Sequence, residues 1–250
     1  MKRIDWTIWL GIFVGLTAII LGAWFEGLNP GFLWHPTAIL IVGGGTLGAV
    51  IIRCGISGIT GTLKAIWNLR TKDSGEDTHK VELARLAWLS RSVQTKGVKA
   101  YESYAESSND VLVAQGLILL ADNTDSEKIK HTLTQRLDWE DEKGLQDAAT
   151  LEAAGGFAPT FGILGAVIGL IGVLRVLDRP ELLGVGIASA FVATIYGIGS
   201  ANLLLFPLAE RLRSRHETIM KRREEIATVI VALSANERPK AIINQFNLIK

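Results

Sequence analysis

AAGGFAPTFGILGAVIGLIGVL (Ala153–Leu174) and LLGVGIASAFVATIYGIGSANLLLFPLA (Leu182–Ala209) are uncharged runs of 22 and 28 residues, joined only by the polar bridge Arg175–Glu181. About 20 apolar residues suffice for a helix to cross the hydrocarbon core of a bilayer, so each run reads as a membrane span. Small residues fall at Ala158, Gly162, Gly165, Gly169 and Gly172 in the first run. They fall at Gly186, Ala190, Ala193, Gly197 and Ser200 in the second, with spacing 4, 3, 4, 3 in both. That spacing lines one face of a helix and lets a neighbouring backbone come close. Ordinary packing between membrane helices accounts for part of the pattern. Two matched stripes on consecutive spans also suggest a surface that lines a partner helix or a narrow path.

Two more uncharged blocks precede these: Trp6–Phe25, 20 residues, and Gly27–Ile52, 26 residues with His35 as the only titratable group. Gathered into four blocks, a hydrophobic content of 48% describes four membrane helices and not a soluble core. Trp6–Phe25 is expected to remain as a span, because it is too long for a cleaved leader and lacks a small-residue cleavage site followed by a polar stretch. The net charge of +1 decides little, but the placement of charge sets the topology. Lys2 and Arg3 precede the first span, Arg53, Lys64, Arg70 and Lys72 follow the second, and Arg211–Arg223 is basic after the fourth. The loop Glu26–His35 has neither Lys nor Arg. By the positive-inside rule both termini and Arg53–Glu152 are expected in the cytoplasm. The lone Cys54 leaves no disulfide framework and no cysteine metal site.

The expected fold is an all-α integral membrane protein. Spans one and two fill 1–55, a cytoplasmic helical lobe is inserted at 56–152, spans three and four fill 153–209, and 210–250 is a long cytoplasmic helix with a short one after it. Within the lobe, Ile59, Leu63, Ile66 and Leu69 mark an amphipathic helix along the membrane surface. Lys72–Thr78 reads as a polar break and Val81–Gln94 as a helix broken at Gly97. Val98–Glu106 and Val111–Ala121 read as two short helices and Asn123–Leu137 as a capped one, while Leu145–Ala154 feeds the third span. The long charged helix runs from Ala209 to about Ala235, broken by Asn236–Pro239 before a last helix from Lys240.

No nucleophile–base set can be assembled, and the four histidines are scattered without ligand spacing, so neither enzyme chemistry nor a bound metal or cofactor is expected. The basic stretches abut spans, which favours membrane lipid over nucleic acid as their partner. Between their ends the four spans hold no Asp, Glu, Lys or Arg, whereas ion transporters normally place such a group at membrane depth. What remains is hydroxyl: Thr194 flanks the small stripe at Ala193 and Gly197, although a membrane Thr commonly bonds back to its own helix. If the chain conducts ions, the titrating group comes from another polypeptide.

Gly155–Leu170 (GGFAPTFGILGAVIGL) resembles the third helix of the MotA/PomA family of the MotA/TolQ/ExbB superfamily, the ring-forming subunits of ion-driven flagellar stators. Ala193–Gly197 (ATIYG) and the exit Phe206–Ala209 (FPLA) are similar to the family's fourth helix, and the four-span order with a large insert also fits. The resemblance implies a homopentamer around two copies of a MotB/PomB-type partner, which supplies one span with an ion-carrying Asp and a peptidoglycan-binding domain. It implies an ion path and partner-facing surface at Gly162, Ala166, Gly169, Thr194, Tyr196 and Gly197. Pro159 and Pro207 match the prolines credited with coupling ion flow to movement. Glu102 matches the acidic position that touches a rotor switch-complex protein. The usual basic residue falls at Gln94 or Thr95, with Arg91 and Lys96 nearby. Sodium-type relatives carry Thr where this chain has Ala166, so H⁺ is expected over Na⁺. The implied place is the bacterial inner membrane. Alternatives are a stator-like transducer for a non-flagellar machine and a non-conducting membrane scaffold.

Overall fold

The computed structural model describes residues 6–69, 75–235 and 237–246, leaving aside the side chains of 30, 76, 77, 94–96, 181, 182, 243 and 245. Every regular element among them is helical: α1 (Thr7–Phe25), α2 (Pro36–Leu69), α3 (Gly75–Lys96), α4 (Lys99–Ser107), α5 (Val111–Ala121), α6 (Ser126–Leu174), α7 (Pro180–Ser200), α8 (Phe206–Ser234) and α9 (Pro239–Gln245). Four helices among the described residues are long and apolar enough to cross a membrane, supplied by α1, α2, the C-terminal part of α6, and α7 with its continuation into α8. Tertiary contacts group Arg3–Lys72 with Leu145–Ser214, and Asp73–Gly144 with Arg215–Lys250.

In the first of these units the helices are continuous but not uniform. α2 contains a π-helical segment at Leu40–Gly44, and a second one, Ala201–Leu205, joins α7 to α8. Gly55 breaks α2 with φ 68, a conformation glycine adopts without a Cβ penalty. The amphipathic stretch from Ser57 to Leu69 begins just beyond that break. Of the run Gly43–Gly45 only Gly45 meets a neighbour: a Cβ there would stand 2.3 Å from the Phe161 ring, while Gly43 and Gly44 have nothing within 4 Å.

The second unit has a core of large aliphatic side chains, with Leu86, Leu112, Leu117, Ile129 and Ile230 fully buried. Asp110 caps α5 by accepting from the Leu112 amide at 2.9 Å, and Gly97, at φ 68, separates α3 from α4. The sequence divides differently here in two places. The expected helices at Asn123–Leu137 and Leu145–Ala154 are parts of one helix of 49 residues, α6. The intervening Asp138–Gly144 offers only Gly144 as a breaker, and the His216 ring lies where a Gly144 side chain would go, with a Cβ there 1.9 Å from it. α3 starts at Gly75, not Val81, and the acids Glu76 and Asp77 of GEDTHK fall in its first turn, where the helix dipole favours them. Of the expected break Lys72–Thr78, residues 70–74 lie outside the described residues, as does Asn236 in the later one.

Candidate functional site at the crossing of the third and fourth spans

The two small-residue stripes meet each other. A Cβ at Gly197 would stand 2.6 Å from the Ala158 carbonyl oxygen, 3.0 Å from Gly162 Cα and 3.1 Å from Pro159 Cα. A Cβ at Gly162 would stand 3.0 Å from the Ala193 carbonyl oxygen, and one at Gly169 would be 3.2 Å from the backbone of Ala190. These obstacles are backbone atoms, which cannot swing away. Gly162, Gly169 and Gly197 therefore bring α6 and α7 of one chain together, the packing role that such stripes commonly have. Gly165 extends the contact sideways, facing Ala193 and, at 3.5 Å, Ile41 of α2.

Thr194 lies at the crossing, with its Cα 3.4 Å from the Cβ position of Gly162. Its hydroxyl donates back to the Ala190 carbonyl at 3.4 Å, a long bond from a half-buried group. Ala166 is also half-buried, one helical turn beyond Gly162. Tyr196 is two residues from Thr194, and successive residues of a helix are about 100° apart, so it points elsewhere. Its hydroxyl donates to the Leu33 carbonyl, receives the His35 amide at 3.4 Å, and its ring packs against Ala38, Val42, Val192 and Ala193. Tyr196 thus staples the fourth span to the turn before α2. Within the chain, then, the Tyr196 and Thr194 side chains have different neighbours. No sequence pattern marks this link, since its partners are backbone groups more than 160 residues away.

Pro159 stands inside α6, not near a helix end. It removes one bond of the helical ladder and crowds the carbonyl four residues back, that of Gly155. The Phe206 ring packs against Gly155, 2.8 Å from where a Cβ would be. Pro207 is the second residue of α8 and follows the π-helical segment Ala201–Leu205 directly. The wider turn changes which carbonyls the chain must satisfy, so the helix passes through this proline without ending. A plain helix boundary is thereby excluded at both prolines.

Below the crossing, Arg213 pairs with Glu152. In the other unit Arg223 is held by Asp110 at 3.2 Å and by Glu140, which also receives Arg136 at 3.0 Å. The basic stretch Arg211–Arg223 is therefore partly engaged within the chain and is not wholly a lipid-facing row. Glu102 is exposed in the first turn of α4, where the helix dipole favours an acid. Arg91 is exposed on α3 with its guanidinium 5.2 Å over the Trp88 ring. The side chain of Lys96 lies outside the described residues.

Four apolar helices, with a tight glycine crossing between the last two, define a membrane protein whose spans pack closely. The model of the MotA/TolQ/ExbB proton channel family matches residues 104–225, from α4 through both closing spans into α8. Motility protein A of Bacillus subtilis is 29% identical over 238 residues, covering 95% of this chain and 88% of that protein. Chemotaxis protein PomA of Vibrio alginolyticus is 26% identical over 235 residues, covering 93% and 90%. The flagellar MotAB stator complex of Bacillus subtilis superposes with a TM-score of 0.82 at 29% identity, covering 96% of this chain and 94% of that one. Motility proteins and flagellar stator subunits are thus what this chain is similar to along nearly its whole length, while the family model itself is confined to residues 104–225.

Proposed function

We infer that this chain is the ring-forming subunit of an ion-driven flagellar stator in the bacterial inner membrane, turning ion flow into torque on a rotor. The observation that carries the inference is the glycine crossing at Gly162 and Gly197, which holds Thr194 but no group able to carry a proton. The likeness to a flagellar stator complex over nearly the whole chain supports it. The titrating carboxylate then belongs to a single-span partner of MotB/PomB type, two copies of which stand inside a ring of five. Both termini and the lobe face the cytoplasm. Glu102, Arg91 and Lys96 form the surface toward a rotor protein.

In this reading Ala166 and Thr194 line the ion path, and the glycines close the helices behind it. A weakly held Thr194 hydroxyl can turn to donate to the partner's carboxylate when that group is ionised. Pro159 and the π-helical segment before Pro207 leave the helix ladder weaker on either side of the crossing, so the spans can shift there as the carboxylate changes charge. Sodium would need several oxygens in place of its water, and Ala166 supplies none, so the proton is the favoured ion. The test is swimming of cells that depend on this chain, in sodium-free medium with and without a protonophore. Swimming should persist without sodium and stop with the protonophore. The opposite pattern overturns the proton, and normal swimming after deletion of the chain overturns the stator.

A further inference from the structure

α1 has no buried residue, and it comes close to the fourth span at Gly15, where a Cβ would stand 2.7 Å from Leu203 Cδ2. On either side of that waist the crevice opens. One cavity, of about 370 Å³, is walled by apolar side chains such as Leu16, Ile20 and Leu204. The other, of about 290 Å³, is lined by Asn202, Gly11, Ile12 and Pro207 and reaches Thr7 and Arg211. Leu203 lines both. Arg211 donates to Thr7 Oγ1 at 2.8 Å, which sets the guanidinium at the mouth, and Asn202 donates to the Ile198 carbonyl at 3.0 Å. Lys2 and Arg3 precede α1 in sequence.

We propose that this crevice binds an anionic glycerophospholipid of the inner leaflet, with its phosphate at Arg211 and an acyl chain along α1 toward Leu16 and Ile20. The polarity gradient is that of an amphiphile: cationic and hydroxylic at one end, apolar beyond. A basic residue at the cytoplasmic end of a crevice between spans is the kind of site that selects anionic headgroups. The proposal rests on the membrane orientation inferred above but not on the motor activity.

The experiment is native mass spectrometry of the purified complex, equilibrated with phosphatidylglycerol or phosphatidylcholine in equal amounts. Phosphatidylglycerol should be retained over phosphatidylcholine by about five-fold, the selectivity of one cation near a headgroup. Arg211→Gln should abolish that preference and Arg211→Lys should keep it. Gly11→Trp, at a position with nothing within 4 Å of its Cβ, should fill the mouth and reduce retention of both lipids. Equal retention of the two lipids by the parent complex, or a preference unchanged in Arg211→Gln, overturns the proposal. If Gly11→Trp does not assemble, the two Arg211 variants still decide.

Discussion

The two units of this molecule are held by opposite means. In the second unit large side chains fill the interior: Leu83, Leu86, Leu133 and Ile230 are at most 1% exposed, and the half-buried Arg223 is paired with Asp110 and Glu140. In the membrane unit large side chains face outward, with Phe13 68%, Ile163 60% and Phe191 67% exposed, while glycine and alanine occupy the contacts. Water explains the contrast. Burying a Leu side chain is worth about 1.5–3 kcal/mol where the alternative is water. Lipid tails are as apolar as leucine, so helices in the bilayer gain mainly from close packing. The same chain therefore puts size inside one unit and outside the other.

The comparison breaks most visibly at a fully buried leucine. Leu133→Ala, from a 1% exposed position, should destabilise the second unit by about 2–5 kcal/mol. Hydrogen exchange on the purified complex should show faster exchange in α5 and α6. Exchange unchanged across Val111–Leu137 would mean that this core can collapse onto the gap. The reverse change tests the membrane unit. Gly197→Ala puts a methyl 2.6 Å from the Ala158 carbonyl oxygen and should cost about 1–3 kcal/mol by overpacking. Gly199→Ala, with nothing within 4 Å, should be neutral or gain up to about 1 kcal/mol from helix propensity. Thermal melting of the complex in detergent separates the two, and equal melting temperatures would refute the glycine crossing.

Much of this was legible in the sequence, for reasons that differ by region. The spans were readable because hydropathy in the bilayer is nearly a one-dimensional code: Ala153–Leu174 and Leu182–Ala209 needed only their lack of charge. The stripes showed that something comes close, but spacing alone does not name the neighbour. Only the positions of Gly162 and Gly197 show that it is the adjacent span. Helix ends in the second unit were legible at Gly97 and Asp110, where a local rule applies. The unbroken run of α6 through Gly144 was not, because the ring that covers that glycine comes from His216. The staple at Tyr196 was likewise hidden, since its acceptor is a distant carbonyl.

A smaller effect separates the units by their polar contacts. Tyr196→Phe should remove the bonds to Leu33 and His35, at a cost of about 0.6–1.5 kcal/mol. Melting should fall slightly while assembly persists. A loss of assembly would mean that this staple, and not the glycine crossing, organises the membrane unit.

The smallest effect is in the second unit and shows itself most clearly in alkali. The Tyr104 hydroxyl donates to Glu82 Oε1 at 3.1 Å. Burial, and then the neighbouring Glu82 carboxylate, push its pKa up from 10.0 to about 12, against a smaller lowering by Arg85. The folded state therefore holds the proton more tightly than the unfolded chain. That contribution is fully present below pH 10.0 and is lost as pH rises through about 12. Tyr104→Phe should consequently change stability little at neutral pH, by about 0.5–1.5 kcal/mol for one hydrogen bond, and should flatten the alkaline limb of the stability profile between those two values. Ultraviolet titration of phenolate in the parent complex and in the variant isolates the group. Tyr101, raised by burial alone, provides a second tyrosine with no carboxylate beside it. If the phenolate that disappears in Tyr104→Phe titrates near 10, the Glu82 contact does not hold the proton, and the pairing of charges in this unit reaches less far than Arg223 and its carboxylates suggest.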